Sequence, residues 1–279
     1  MNFFIISPQR SGSTLLRSLI NSHPNVYIPT EMHVFNRGNL KSLDGHSFYS
    51  LCKSNPRMAE WNLDESVVTE DMAETAVSLV KLQSDKRNVI VGDKTPENID
   101  NLESIIEIFP TAKFIFLYRD PLEIVLSLKS RGWQGPFDQS RVRYVQFVST
   151  KMLHFEAKLG NRVLSLHYEK LVDDPAMCMR KVSSFLDVPA LPNEPEVVVD
   201  ITTSEKIGGM HQKLNSPITL QSRRREFDIE TVKKLESMIN VNSYSVTDHA
   251  ALIVSRLLNT LPFRLYNLLL KVFKWLQRS

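Results

Sequence analysis

The chain of 279 residues is short of cysteine, glycine and long apolar runs, and each shortage removes a class of protein. Cys52 and Cys178 are its two cysteines, with no metal-type spacing between them. That excludes a disulfide scaffold and reads as two free thiols in a reducing compartment. Nine glycines, with no internal repeat and no low-complexity tract, exclude a fibre and give no sign of disorder. No stretch approaches the ~18 consecutive apolar residues of a spanning helix. A cationic start and extended apolar region are also missing from the N-terminus, where Phe3–Ile6 runs straight into Pro8 and Arg10. A cytoplasmic location is therefore expected. The net charge of +3 suits an anionic ligand but is too small for a dedicated nucleic-acid binder, so no nucleic-acid partner is expected. No cluster of metal-ligand residues is seen, and no metal is expected.

What is present is an alternation of short apolar runs and helical patterns. The runs are Phe3–Ile6, Asn88–Val91, Lys113–Tyr118 and Arg162–His167, each nearly continuous in apolar residues, as in strands buried on both faces of a parallel sheet. Helical patterns cover Leu15–Asn21, Pro96–Phe109, Pro121–Ser130, Arg141–Leu159 and Pro175–Leu186. The alternation predicts an α/β fold, a three-layer sandwich with a central parallel sheet. Met32–Ser84 breaks the rhythm and is expected to hold helices and loops over the sheet's carboxyl edge. Asp187–Phe227 reads as a loop that orders on binding. The expected domains are 1–240 and a helical extension, 241–279. In that extension Leu265, Leu268, Leu269, Val272, Phe273 and Leu276 form one apolar stripe, with basic residues elsewhere. Packing on the body of the domain is the reading taken. Peripheral contact with an anionic membrane, or a homodimer contact, is the alternative.

The first strand pattern leads into "SPQRSGSTLL". A loop after the first strand of an α/β sheet lies at the carboxyl edge, where ligands bind. Its backbone N–H groups and the following helix start favour an anion. Ser11, Ser13 and Thr14 add hydroxyls, Gly12 permits close backbone approach, and Arg10 adds a fixed charge with a planar fork of donors. The plainer alternative is a polar turn with Ser13 as helix N-cap. A nucleoside-triphosphate loop would carry Gly-Lys followed by Ser or Thr, and that lysine is absent.

This loop resembles the 5′-phosphosulfate loop of sulfotransferases that use 3′-phosphoadenosine 5′-phosphosulfate (PAPS), in the branch with Arg in place of the commoner Lys. A second motif, "FIFLYRDPLEIVLSLKSRG", matches independently. The resemblance implies that Arg119 and Ser127 bind the 3′-phosphate. "GDKTPENI" is similar to the Lys-Thr-Pro segment of tyrosylprotein sulfotransferases and their bacterial relatives. "LHYEKLVDDP" resembles a later segment whose tyrosine, here Tyr168, approaches the nucleotide. "HQKLNSP" resembles a late loop whose lysine, here Lys213, closes over it, with Lys206 or the run Arg223–Arg225 as alternatives. The likeness covers roughly Asn2–Phe227 and implies the P-loop-like sulfotransferase fold.

Family resemblance also implies in-line transfer of a sulfuryl group from PAPS to a hydroxyl. Glu31 in "YIPTEMHVF" is the expected base, with His33 second. Arg10 and Lys94 are expected to stabilise the transferring group. The plainer alternative for Lys94 is a surface ion pair with Asp93, and for Tyr168 ordinary core packing. The expected acceptor is a small-molecule, lipid or saccharide hydroxyl. Two other readings stand beside this one: a P-loop small-molecule kinase, disfavoured by the missing Gly-Lys, and a non-catalytic nucleotide-binding module held at a membrane.

Overall fold

A computed structural model describes residues 1–36, 40–86, 89–190 and 222–239. Their contacts divide the chain into two compact units, one of residues 1–119 and 151–221, the other of 120–150 and 222–279. The expected extension at 241–279 lies outside the described residues, as does Lys213.

The first unit is built on five parallel strands: β1 (Phe3–Ile6), β2 (Val26–Tyr27), β3 (Ile90–Asp93), β4 (Lys113–Tyr118) and β5 (Val163–His167). Their spatial order is β2-β3-β1-β4-β5. β1 is central, pairing Phe4 with Asp93 of β3 on one side and Ile6 with Phe116 of β4 on the other. Such strands bury both faces, which explains their unbroken apolar runs. Alternate side chains face opposite ways. Phe3 and Ile5 join Ile115 and Leu117 in one cluster, which takes Leu16, Leu19 and Ile20 of α1 (Ser13–Asn21). Helix α8 (Pro175–Phe185) adds Met179 and Val182 to the same cluster. On the opposite face Phe4 stacks on Phe114 at 5.8 Å and meets Phe35 edge-on at 5.6 Å. Phe35 in turn stacks on Phe48 of α2 (Gly45–Lys53) at 5.7 Å. Helices thus cover both faces, giving the expected three layers. The aromatic cluster also shows that the 32–84 segment, which includes α2 and α3 (Met72–Leu82), covers a face of the sheet with Phe35 and Phe48.

Several boundaries differ from the sequence pattern. β3 begins at Ile90, so the apolar run expected from Asn88 extends further along, to Asp93. The pattern over 96–109 is a 3₁₀ turn, Pro96–Asn101, followed by α4 (Leu102–Ile108). In the second unit, α5 (Pro121–Ser130) has the expected bounds. Helix α6 (Asp138–Leu159) starts at Asp138 and not Arg141, because Asp138 binds both Lys129 and Arg141 and suits a helix start. The remaining described helices are α7 (Tyr168–Asp173) in the first unit and α9 (Ile229–Ile239) in the second.

Candidate active site at the carboxyl edge

Parallel strands present all their carboxyl ends at one edge of the sheet. In this chain each of the five is followed by a residue singled out in the sequence: the 7–14 loop after β1, Glu31 after β2, Lys94 after β3, Arg119 after β4 and Tyr168 after β5. The order reverses around β1, the position where open α/β sheets bind ligands.

Helices α2, α3, α5 and α8 each start on an aspartate whose carboxylate accepts a first-turn N–H. Helix α1 starts on Gly12 instead, at φ 91°, with no acidic residue in its first turn. Its N-terminal N–H groups therefore face the loop without a carboxylate neutralising them. Ser13, the alternative cap, lies inside the helix. Arg10 also takes a left-handed backbone, φ 69°. Two such residues flank Ser11, whose fully buried hydroxyl has no hydrogen-bond partner. A buried hydroxyl without a partner is expensive, of the order of 1–3 kcal/mol. An anion seated in the loop would satisfy it, so the residues present fit a phosphate-type ligand.

Arg119 reinforces this loop. Its Nη1 donates to the Arg10 carbonyl at 3.0 Å, and its guanidinium carbon lies 4.3 Å from the centre of the Tyr168 ring. The same ring edge packs against Gly12, where a Cβ would overlap Tyr168 Cδ2 and Cε2. Gly12 is therefore needed for its positive φ and for this contact. Tyr168 packs partly against the core cluster and at the same time lies between the loop and the arginine.

Lys94 is buried, 1% exposed, and its ion-pair partner is Glu31. The alternative of a surface pair with Asp93 is thereby overturned. Burial opposes ionisation of Glu31, but the Lys94 charge and hydrogen bonds from His33 and Lys94 prevail and hold its carboxyl well below the usual range. Glu31 Oε2 lies 3.2 Å from His33 Nε2. Asp93 is buried too, and with no cation paired to it burial pushes its carboxyl up to about 6, despite hydrogen bonds from Asn98 Nδ2 at 2.5 Å and Thr95 Oγ1 at 3.3 Å.

Ser127 lies on α5 in the second unit, buried, its carbonyl accepting from the Ser130 hydroxyl. In that unit Arg223 pairs with Glu226, and Arg224 with Asp120 and Glu236, so much of this basic run is engaged by acidic neighbours. Sequence reading missed Gln9, Glu97 and Asn98, which surround His33 and Asp93. Glu97 and Asn98 stand within the quoted "GDKTPENI", where their nearness to Lys94 was the available signal. Among the described residues no group of His, Cys, Asp and Glu is arranged to hold a metal, and no helix is long and apolar enough to cross a membrane.

A parallel sheet with a glycine-bearing loop and helix start after its central strand, and cations at neighbouring strand ends, defines an α/β protein of the P-loop-like class. The sulfotransferase family model matches residues 2–192, and the chain belongs to that family. A protein-tyrosine sulfotransferase of Drosophila melanogaster is 30% identical over 192 residues, 67% of this chain and 38% of the relative. One of Caenorhabditis elegans is 28% identical, covering 67% of this chain and 50% of its own length. The chain thus spans half or less of these two relatives. The sulfotransferase domain of the Synechococcus PCC 7002 olefin synthase shares the fold at TM-score 0.52 and 21% identity, covering 93% of this chain and 94% of that domain.

Proposed function

We propose that the protein transfers a sulfuryl group from PAPS to an acceptor hydroxyl, with Glu31 as base and Arg10 and Lys94 as the stabilising cations. The observation that carries this reading is the buried, unpartnered Ser11 hydroxyl in a loop that adjoins a lysine–carboxylate pair. Ser11, Gly12, Ser13 and Thr14 would hold the 5′-phosphate side of the donor, and Arg119 its 3′-phosphate. Tyr168 would steady Arg119 and border the nucleotide, and Lys213 would close over it. PAPS supplies the activated sulfuryl group; the protein supplies alignment and charge.

Glu31 stays ionised because of Lys94, so it is in the form that accepts a proton from the acceptor oxygen. The pair also restrains it, since a carboxylate neutralised by lysine binds protons weakly. Proton transfer is favoured once the lysine shares its charge with another anion. The acceptor is a small-molecule, lipid or saccharide hydroxyl.

Calorimetric titration tests the donor site, comparing adenosine 3′,5′-bisphosphate with ATP in the presence of EDTA. Selective binding of the bisphosphate is expected. Preference for ATP, or binding of neither, would refute the reading of the loop.

A further inference from the structure

Glu97 and Gln9 have no task in this reaction scheme, yet both reach the neighbourhood of the base. We propose that Glu97 is a positioning residue that fixes the Glu31 carboxylate by holding the His33 imidazole from its opposite side. The proposal rests on Glu31 being the base.

Both ring nitrogens of His33 face carboxylates. Nε2 stands 3.2 Å from Glu31 Oε2, within hydrogen-bond reach. Nδ1 stands 3.6 Å from Glu97 Oε2, too long for a hydrogen bond but within ion-pair reach of a protonated ring. Glu97 Oε2 is buried and has no hydrogen-bond partner. Glu97 is itself anchored, because its Oε1 accepts from Gln9 Nε2 at 2.6 Å. Gln9 precedes Arg10 in the β1 loop, so the chain of contacts runs from the anion loop through Glu97 and His33 to the base. Lys94 holds the other oxygen of Glu31. With Oε1 and Oε2 each bound, the carboxylate has one orientation. If the imidazole turned, Oε2 would be freed, and Glu97 opposes that turn.

The backbone supports this assignment. His33 has φ 52°, a left-handed conformation that costs a non-glycine residue about 1–2 kcal/mol. Such strain persists where the surroundings enforce it, and these positions cluster at functional sites. The His33 N–H donates to Thr95 Oγ1 at 3.4 Å, and Thr95 Oγ1 lies 3.3 Å from buried Asp93. The segment from Asp93 to Glu97 therefore grips the Glu31–His33 pair at three places: Lys94 on Glu31, Thr95 on the His33 backbone and Glu97 on its ring. A base held by a group that a third group orients is a recurring arrangement for activated proton acceptors.

The test is a double-mutant cycle on the full chain, read by turnover and by the His33 ring signals in ¹H–¹⁵N spectra. Turnover is followed as labelled sulfuryl transfer from PAPS to the best acceptor among 4-nitrophenol, a primary alcohol and a hexose. Glu97→Gln should lower kcat about tenfold, below the full 10²–10⁴ contribution of a positioned base. Bisphosphate affinity and acceptor KM should stay within about twofold, since the base and not the binding loop is disturbed. In a His33→Ala background the same substitution should cost nothing further, because its effect passes through the ring. The spectra should show Nε2 moving in Glu97→Gln although the change is made at Nδ1. An unmoved Nε2 signal in the folded variant, an unchanged kcat, or an additive loss in the double mutant overturns the proposal. If Glu97→Gln does not fold, Glu97→Asp carries the same measurements and the same criteria. A wild-type chain that binds no bisphosphate sinks the transferase reading itself, whereas an indifferent ring sinks Glu97 alone.

Discussion

Replacing Asp93 with asparagine should make the protein's stability less sensitive to pH, with the sign opposite to ordinary acid denaturation. Asp93 ends β3, is fully buried, and accepts hydrogen bonds from Asn98 and Thr95 without a paired cation. Its carboxyl is pushed by burial from 3.8 up to about 6. A folded-state value above the unfolded one means that the native state holds the proton more tightly. The protein is then most stable with Asp93 protonated and loses stability as pH rises through the interval from 3.8 to about 6. About two pH units at 1.36 kcal/mol each gives a penalty of about 3 kcal/mol above that interval. Asparagine cannot ionise and keeps one oxygen for Asn98, while the weaker Thr95 contact is lost at a cost of about 1 kcal/mol. Relative to wild type, Asp93→Asn should therefore be slightly less stable near pH 4, where the Thr95 loss dominates, and about 2 kcal/mol more stable at pH 7. Urea unfolding followed by tryptophan fluorescence at pH 4, 5, 6 and 7 measures this difference. Glu31 works in the other direction, losing its stabilising pair as pH falls, and it is present in both proteins. A stability difference that stays flat across the four pH values would refute the account of Asp93.

Two further outcomes follow from the loop. Gly12→Ala places a Cβ in the Tyr168 ring at φ 91°, so bisphosphate binding should be lost and the melting temperature should fall by about 4–8 °C, which calorimetry would detect. Unchanged binding would mean the ring is not a fixed platform. Arg119→Ala removes the contact to the Arg10 carbonyl and the stack on Tyr168, and should weaken bisphosphate binding roughly tenfold to a hundredfold by titration. Arg119→Lys should not restore it, because lysine keeps the charge but not the planar fork.

The pattern of the chain gave away those elements whose causes are local. β4 lies where an apolar run at Lys113–Tyr118 placed it, and α5 begins at a proline suited to a first turn. The strand–loop–helix unit at 3–21 was legible for the same reason, since its parts adjoin one another in sequence. Arg119 and Lys94 were found as strand-end cations within recognisable segments, and Glu31 as a carboxylate beyond the first helix. Partnership was less visible. Lys94 is adjacent in sequence to Asp93, which made that pair the plainer alternative to a place in the site. The fold brings the end of β2 beside the end of β3, and the lysine turns to Glu31 instead.

That exchange of partners explains why two neighbouring carboxylates carry opposite shifts. Glu31 receives a lysine and a histidine, so it stays charged. Asp93 receives an amide and a hydroxyl within the core, so burial raises it. Neither state can be assigned from residue type, because each follows from which strand end lies alongside. The stack of Arg119, Tyr168 and Gly12 has the same origin, since it joins residues following β4, β5 and β1, three strands adjacent in the sheet but distant along the chain. What a parallel sheet adds to its sequence is this gathering of five strand ends along one edge. Each end contributes side chains of ordinary chemistry, and the shifted carboxylates and fixed arginine arise only where those side chains meet.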